Sequence, residues 1–209
     1  MVLPIYRAVA ESSTLLLAVA MMQIVSVVVI NQKTSSLMDT FGGNEPPDMW
    51  FGIQIKRLYD YLAGIGVQGR FAYLDTAQWD LMLVIPTYSV LLGSLLHKEC
   101  KKAGISPKLS LIVLLATIGD ILETVGCGYA TKNFLTTPLT RKQMRIVSNG
   151  NKVKWVSLGA GISMLVFLFL KNLIFPLVAA NGVNKEEPKP NSEGGGKESS
   201  KANEVKKEK

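Results

Sequence analysis

Four long apolar blocks govern what this chain can fold into. They run from about Ser13 to Ile30, from Trp79 to Leu96, from Leu109 to Tyr129, and from Trp155 to about position 175. A soluble domain spreads its apolar residues into one-sided periodic patterns, but here they are gathered, and polar residues fill the gaps. Each block, with its flanks, is long enough to cross the hydrocarbon core of a bilayer. In lipid every backbone N–H and C=O must be paired within its own segment, so the blocks are expected to be helices. The implied fold class is all-α, an integral membrane four-helix bundle.

The block ends support this reading. His97-Lys98-Glu99 follows the second block, Lys108 and Lys132 flank the third, and Lys154 precedes the fourth. Trp79, Tyr129 and Trp155 sit near block ends, where aromatic rings favour the headgroup layer. A cleaved signal peptide competes for the first block, because Arg7 precedes it. That block is long for such a segment, and Asn31-Gln32-Lys33 follows it without a small-x-small site.

Between the first two blocks, Gly42-Gly43-Asn44-Glu45-Pro46-Pro47 breaks any regular structure. Beyond it Met49, Trp50, Ile53, Ile55, Leu58, Tyr59 and Leu62 recur at roughly helical spacing. They predict a short amphipathic helix in the interface, with a helix packed on the loop itself as the competing reading. The stretch from Asn184 carries seven lysines and six glutamates among Gly, Ser and Pro and is expected to be disordered. The domain division is thus a four-span domain over 1–183 and a charged tail over 184–209.

The net charge is +7. The lysines flank apolar blocks, and no basic stretch interleaved with aromatics appears. Anionic headgroups are therefore the expected partner of the charge, and nucleic acid is not. Cys100 and Cys127 lie in different segments, so neither a disulfide nor a metal-ligand spacing is expected. His97, the single histidine, reads as an interfacial residue. No cofactor motif and no catalytic motif stand out.

An even number of spans places both termini on one side. Bases near the spans number eight on each side, so the charge rule does not choose. Lys206 and Lys207, fourth and third from the end, resemble a dilysine retrieval signal read from the cytosol. Such signals are addresses rather than anchors. The expectation is a multi-pass protein of the endoplasmic reticulum membrane with cytosolic termini.

The residues that demand a reason lie inside the blocks. Asp80 enters the second, and Asp120 and Glu123 sit in the middle of the third. An ionised carboxylate in hydrocarbon costs about 2.5 kcal/mol or more, so these groups should face the bundle interior. Two ionised carboxylates one helical turn apart also repel, so one should hold a proton unless a cation reaches them. Ala116, Gly119, Glu123, Gly126 and Ala130 recur at steps of three and four, a small-residue stripe on which another helix can pack closely. Tyr88 could donate to a carboxylate, and Lys154 could reach inward from the fourth block. The candidate ligand-binding set is Asp80, Tyr88, Asp120, Glu123 and Lys154. The competing reading of the same residues is a structural polar contact between helices.

Gly69-Arg70-x-x-Tyr73-Leu74, Asp80, Pro86-x-Tyr88, Asp120-x-x-Glu123, Ser148 and Lys152-x-Lys154-Trp155 together resemble a family of four-span membrane proteins of unassigned function. Thr124 stands where that pattern has asparagine. The layout of four spans, a long first loop and a basic tail is also similar to the EXPERA proteins, which include sterol isomerases and the sigma-2 receptor. That similarity implies intramembrane acids that bind the cationic part of a sterol-like ligand. The third block departs from their pattern, and no histidine lies where the isomerases use one. The function expected is binding or handling of a lipid-like or amphipathic ligand at a buried acidic site. A structural or assembly subunit among other membrane subunits, and a lipid- or sterol-modifying enzyme, are the alternatives.

Replacing Lys206 and Lys207 by serine should move the protein from a reticular to a Golgi or surface distribution in fluorescence imaging, without changing its folding. Unchanged reticular staining would assign retention to another part of the chain.

Overall fold

The computed structural model describes residues 2–40 and 45–182, with side chains to residue 174. The predicted tail, including Lys206 and Lys207, lies outside the described residues. The chain divides into one unit over Met1–Ile174 and another over Phe175–Lys209, in which 175–182 are helical. Among the described residues all regular structure is helical: α1 Val2–Glu11, α2 Ser13–Thr40, α3 Ile55–Gly64, α4 Gly66–Trp79, α5 Ile85–Lys102, α6 Ile112–Lys132 and α7 Arg141–Gly182. Four helical segments are long and apolar enough to cross a membrane: Ser13–Thr40, Gly66–Lys102, Pro107–Lys132 and Arg141–Ile174. This is a multi-pass membrane protein.

The helices outrun the apolar blocks because polar residues cap and extend them. Ser12 starts α2, its hydroxyl accepting the Leu15 N–H at 3.3 Å. The basic stretch before Trp155 is largely helix rather than loop. Thr140 and Gln143 form a capping box there, with Gln143 Oε1 accepting the Thr140 N–H at 2.9 Å and Thr140 Oγ1 accepting the Gln143 N–H at 3.3 Å. The second crossing begins at Gly66 and includes a π-helical turn, Asp80–Val84, between α4 and α5. Pro86 has no N–H to donate and clashes with a regular helical turn. The chain responds by widening, and the Ile85 N–H bonds to the Asp80 carbonyl five residues back. Thr87 Oγ1 lies 2.6 Å from the Leu83 carbonyl and 3.1 Å from the Val84 carbonyl, two acceptors of this turn.

α1 has no counterpart among the apolar blocks. Tyr6, Val9 and Ala10 form its buried face, at positions i, i+3 and i+4. It packs on α5, where the Tyr6 ring lies over Gly93 and leaves no room for a Cβ. The Tyr6 hydroxyl is 3.2 Å from Ser89 Oγ. α2 buries only Ser26 and Leu37 among its described side chains, leaving a broad apolar surface exposed, as a peripheral lipid-facing span requires. Its polar Gln23 offers Oε1 to the Thr87 hydroxyl at 2.5 Å, so the amide in the middle of its apolar stretch ties the span to α5.

α3 is the amphipathic helix expected in the first loop. Its Leu58, Tyr61 and Leu62 are buried with Trp50, Leu37, Cys127, Ala130, Met144 and Val147. The helix therefore closes one end of the bundle. A second apolar cluster, Leu96, Cys100, Val113 and Leu168, fills the region between α5, α6 and α7 away from that end. The two cysteines lie in different clusters, and both are free.

The small-residue stripe of α6 packs against α7. A Cβ on Gly119 would lie 2.5 Å from the Gly150 carbonyl oxygen and 2.7 Å from the Lys154 backbone nitrogen. Both are backbone atoms that cannot move aside singly. Gly119→Ala should thus lower stability by about 1–3 kcal/mol, read as thermal unfolding of the purified protein in detergent. Gly64→Ala meets nothing within 4 Å and should leave the melting temperature nearly unchanged or slightly raised. Equal melting of the two variants would show that the close α6–α7 approach is not a stability determinant.

Candidate functional site

The close approach at Gly119 places the start of the apolar part of α7 beside the acids of α6. Lys154 Nζ lies 2.7 Å from Asp120 Oδ1 and 3.3 Å from Glu123 Oε2. The lysine is only 8% exposed, Asp120 3% and Glu123 not at all. Tyr88, on α5, donates its hydroxyl to Asp120 Oδ2 at 2.9 Å. Asp80, in the π turn, accepts from Thr124 Oγ1 of α6 at 3.3 Å. Tyr88, Asp120, Lys154 and Glu123 of the predicted set thus form one bonded network carried by three spans, and Asp80 lies near enough to feel the Asp120 and Lys154 charges. Asp80 and Tyr88 are partly exposed, and the side of the network at the π turn is its most accessible part.

The helical periods explain the convergence. Asp120, Glu123 and Thr124 share one face of α6. Asp80 and Tyr88 are eight residues apart and remain on one side of the second crossing despite the widened turn. Lys154 has a long apolar stem that buries along α7 while its ammonium reaches the carboxylates. The cation that would spare Asp120 and Glu123 their mutual repulsion is therefore present.

Three further groups belong to the site and were not among the predicted residues. Asn151, fully buried one turn before Lys154, accepts the Gly52 N–H on its Oδ1, while its Nδ2 makes no hydrogen bond among the described residues. Its i−3 spacing from Lys154 was the signal available in the sequence. Trp155 donates its indole N–H to the Trp50 carbonyl at 3.0 Å. These two bonds pin the segment after the first-loop breaker to α7. Asp48, in the short turn Pro47–Met49 of that segment, lies near enough to feel the Lys154 ammonium and the Asp120 charge. Burial pushes its carboxyl above the usual range, and the ammonium only partly offsets this. No periodic pattern in the sequence points to Asp48, because a tertiary contact brings it here.

The charge balance is the chemical fact of the site. Asp120 and Glu123 pair with one lysine, Asp80 and Asp48 lie near enough to feel its charge, and among the described residues no second cation pairs with any of the four. Glu123 Oε1 has no hydrogen-bond partner among the described residues. Such a site can hold a proton, or the positive or hydrogen-donating head of a ligand. No three of its acids are grouped as a metal centre among the described residues.

Lys154→Met should destabilise the protein by about 3–5 kcal/mol, because it leaves buried carboxylates without their cation. Combining it with Asp120→Asn and Glu123→Gln should recover most of that loss, as measured by thermal unfolding in detergent. No recovery would mean that the lysine acts by packing rather than by charge.

Asp48 gives a pH signature. Its carboxyl is held above its unfolded value in the fold, so its contribution is fully present below the unfolded value. It is lost as pH rises through the folded value. Asp48→Asn should therefore melt above the wild type near neutral pH, and the gap should close on acidification toward about pH 4. A gap that is constant with pH would rule out titration of Asp48 as its source.

No family model matches the chain, and neither does any curated protein or solved structure, so the meaning of the site rests on its own geometry.

Proposed function

We propose that this membrane protein binds the positively charged head of a lipid-like or amphipathic molecule at the acidic network of Asp80, Asp120 and Glu123. The observation that carries this reading is the excess of carboxylates over Lys154 within the bundle. Buried charge is costly, and a cluster with unbalanced acids is favourable only if protons or a cationic group complete it. The partly exposed Asp80 and Tyr88, beside the widened turn at Pro86, offer the approach. π-Helical turns of this kind recur at functional sites. The layout shared with the EXPERA proteins, whose intramembrane acids bind the cationic part of a sterol-like ligand, suggests the same ligand class. We place the protein, within the same proposal, in the endoplasmic reticulum membrane with both termini cytosolic.

A second reading is a structural role for the network. It is favoured by the Lys154–Asp120 pair at 2.7 Å and the Tyr88–Asp120 bond at 2.9 Å, which together tie α5, α6 and α7. In that role the acids hold helices together, or hold the bundle to another membrane subunit.

Glu123→Gln separates the two readings, because glutamine keeps the shape and loses the charge. Membranes containing the protein are exposed to a photoreactive long-chain alkylamine and to a photoreactive neutral sterol. Amine labelling of the wild type should fall about tenfold or more in Glu123→Gln and Asp80→Asn, while both variants stay folded by thermal unfolding. Sterol labelling reports whether the apolar part of the probe suffices. A folded Glu123→Gln that is labelled as well as the wild type would remove Glu123 from any ionic role and leave the structural reading.

A further inference from the structure

A groove of about 320 Å³ lies between the beginning of α4 and the end of α6, apart from the acidic network and opposite to it in charge. Val67, Arg70, Phe71 and Leu74 line it from α4, where positions i, i+3, i+4 and i+7 share one face. Lys132, the last residue of α6, and Phe134 and Leu135 of the following turn line it too. No carboxylate is among the lining residues. Among the described residues neither Arg70 nor Lys132 takes part in an ion pair.

We propose that this groove binds an anionic glycerophospholipid, with its phosphate between Arg70 and Lys132 and an acyl chain along Val67, Phe71 and Leu74. Arg70 is already positioned. It donates one N–H to the Leu62 carbonyl at 2.9 Å, and its guanidinium lies 4.4 Å from the centre of the Phe134 ring. These contacts fix the planar group and use only part of its five donors, so others are free for phosphate oxygens. Lys132 is exposed at the end of a span, the depth at which an ammonium meets headgroups. From Arg70 the α4 wall continues toward the interior of the crossing through Phe71 and Leu74. Phe71 is 69% exposed and Leu135 82% exposed. Apolar surface of that extent beside two unpaired cations matches a lipid, which is charged at one end and apolar at the other. A soluble anion would use the cations and leave the apolar wall unused. A cationic amphipath would be repelled.

The test is native mass spectrometry of the purified full chain in detergent, titrated with dioleoyl phosphatidylglycerol, dioleoyl phosphatidylcholine or inorganic phosphate. The expected result is one saturable phosphatidylglycerol adduct, held more tightly than phosphatidylcholine. Lys132→Gln should weaken it about fivefold, the value of one basic residue near an anionic headgroup. Adding Arg70→Gln should weaken it about 25-fold in all. Arg70 also holds the Leu62 carbonyl, so its removal can harm folding. Lys132 makes no such contact among the described residues and decides the matter alone. Phosphatidylglycerol bound as tightly by Lys132→Gln as by the wild type would overturn the proposal. So would equal affinity for phosphatidylcholine, or displacement of the lipid by an equal concentration of inorganic phosphate.

Discussion

The contact between Lys154 and the carboxylates of Asp120 and Glu123 is the constraint around which the bundle is organised. Buried acids in the middle of an apolar span are tolerated only when something compensates their charge. α7 supplies that cation, and it must come close to do so. The closeness is provided by α6, whose Gly119 lets the backbone of α7 pass where any side chain would collide with Gly150 and Lys154. Charge and close packing therefore require each other here. Without the small-residue stripe the lysine could not reach the acids, and without the lysine the stripe would bring a carboxylate pair against an apolar neighbour.

The rest of the site is built outward from that contact. Tyr88 gives Asp120 a hydrogen bond from α5, and Thr124 gives one to Asp80 in the π turn. The turn exists because Pro86 cannot continue a regular helix. The neighbouring Thr87 hydroxyl, with carbonyl acceptors and Gln23 within reach, links the irregular turn to the peripheral α2. On the other side, Asn151 and Trp155 bind the backbone of Gly52 and Trp50 and draw the first-loop segment against α7. Asp48 arrives with it and adds to an already acid-rich environment. A purely structural ion pair would gain from a balanced set of charges. This cluster is unbalanced, and that is the physical ground for reading it as a place where a proton or a cation is taken up.

The distribution of charge over the molecule has two parts of opposite sign. Acids are gathered inside, around a single lysine, while Arg70 and Lys132 stand unpaired at the rim among apolar side chains. A basic rim suits the phosphate layer of a bilayer, and an acidic interior suits the head of a cationic amphipath. On the proposed readings the two regions would select different molecules by the same rule, that buried or partly desolvated charge seeks its opposite.

By itself the sequence determined the four crossings, the all-helical class and the identity of Asp80, Tyr88, Asp120, Glu123 and Lys154 as residues in need of partners. These follow from hydropathy, backbone pairing in lipid and the cost of charge in hydrocarbon, all of which act locally along the chain. It also carried the α6 stripe, because helical spacing is a local property. Helix α1, the extension of α7 down to Arg141 and the extension of the second crossing back to Gly66 were less legible, since apolar-block reading stops where polarity begins. The Thr140–Gln143 capping box and the Tyr6, Val9, Ala10 spacing were the overlooked signals. Only the tertiary structure decided which neighbour answers each acid, that Asn151 and Asp48 join them, and that α3 closes the end of the bundle. Those outcomes depend on residues as far apart as Gly52 and Asn151. A one-dimensional pattern records what a side chain needs, while the packing of helices determines which distant group meets that need.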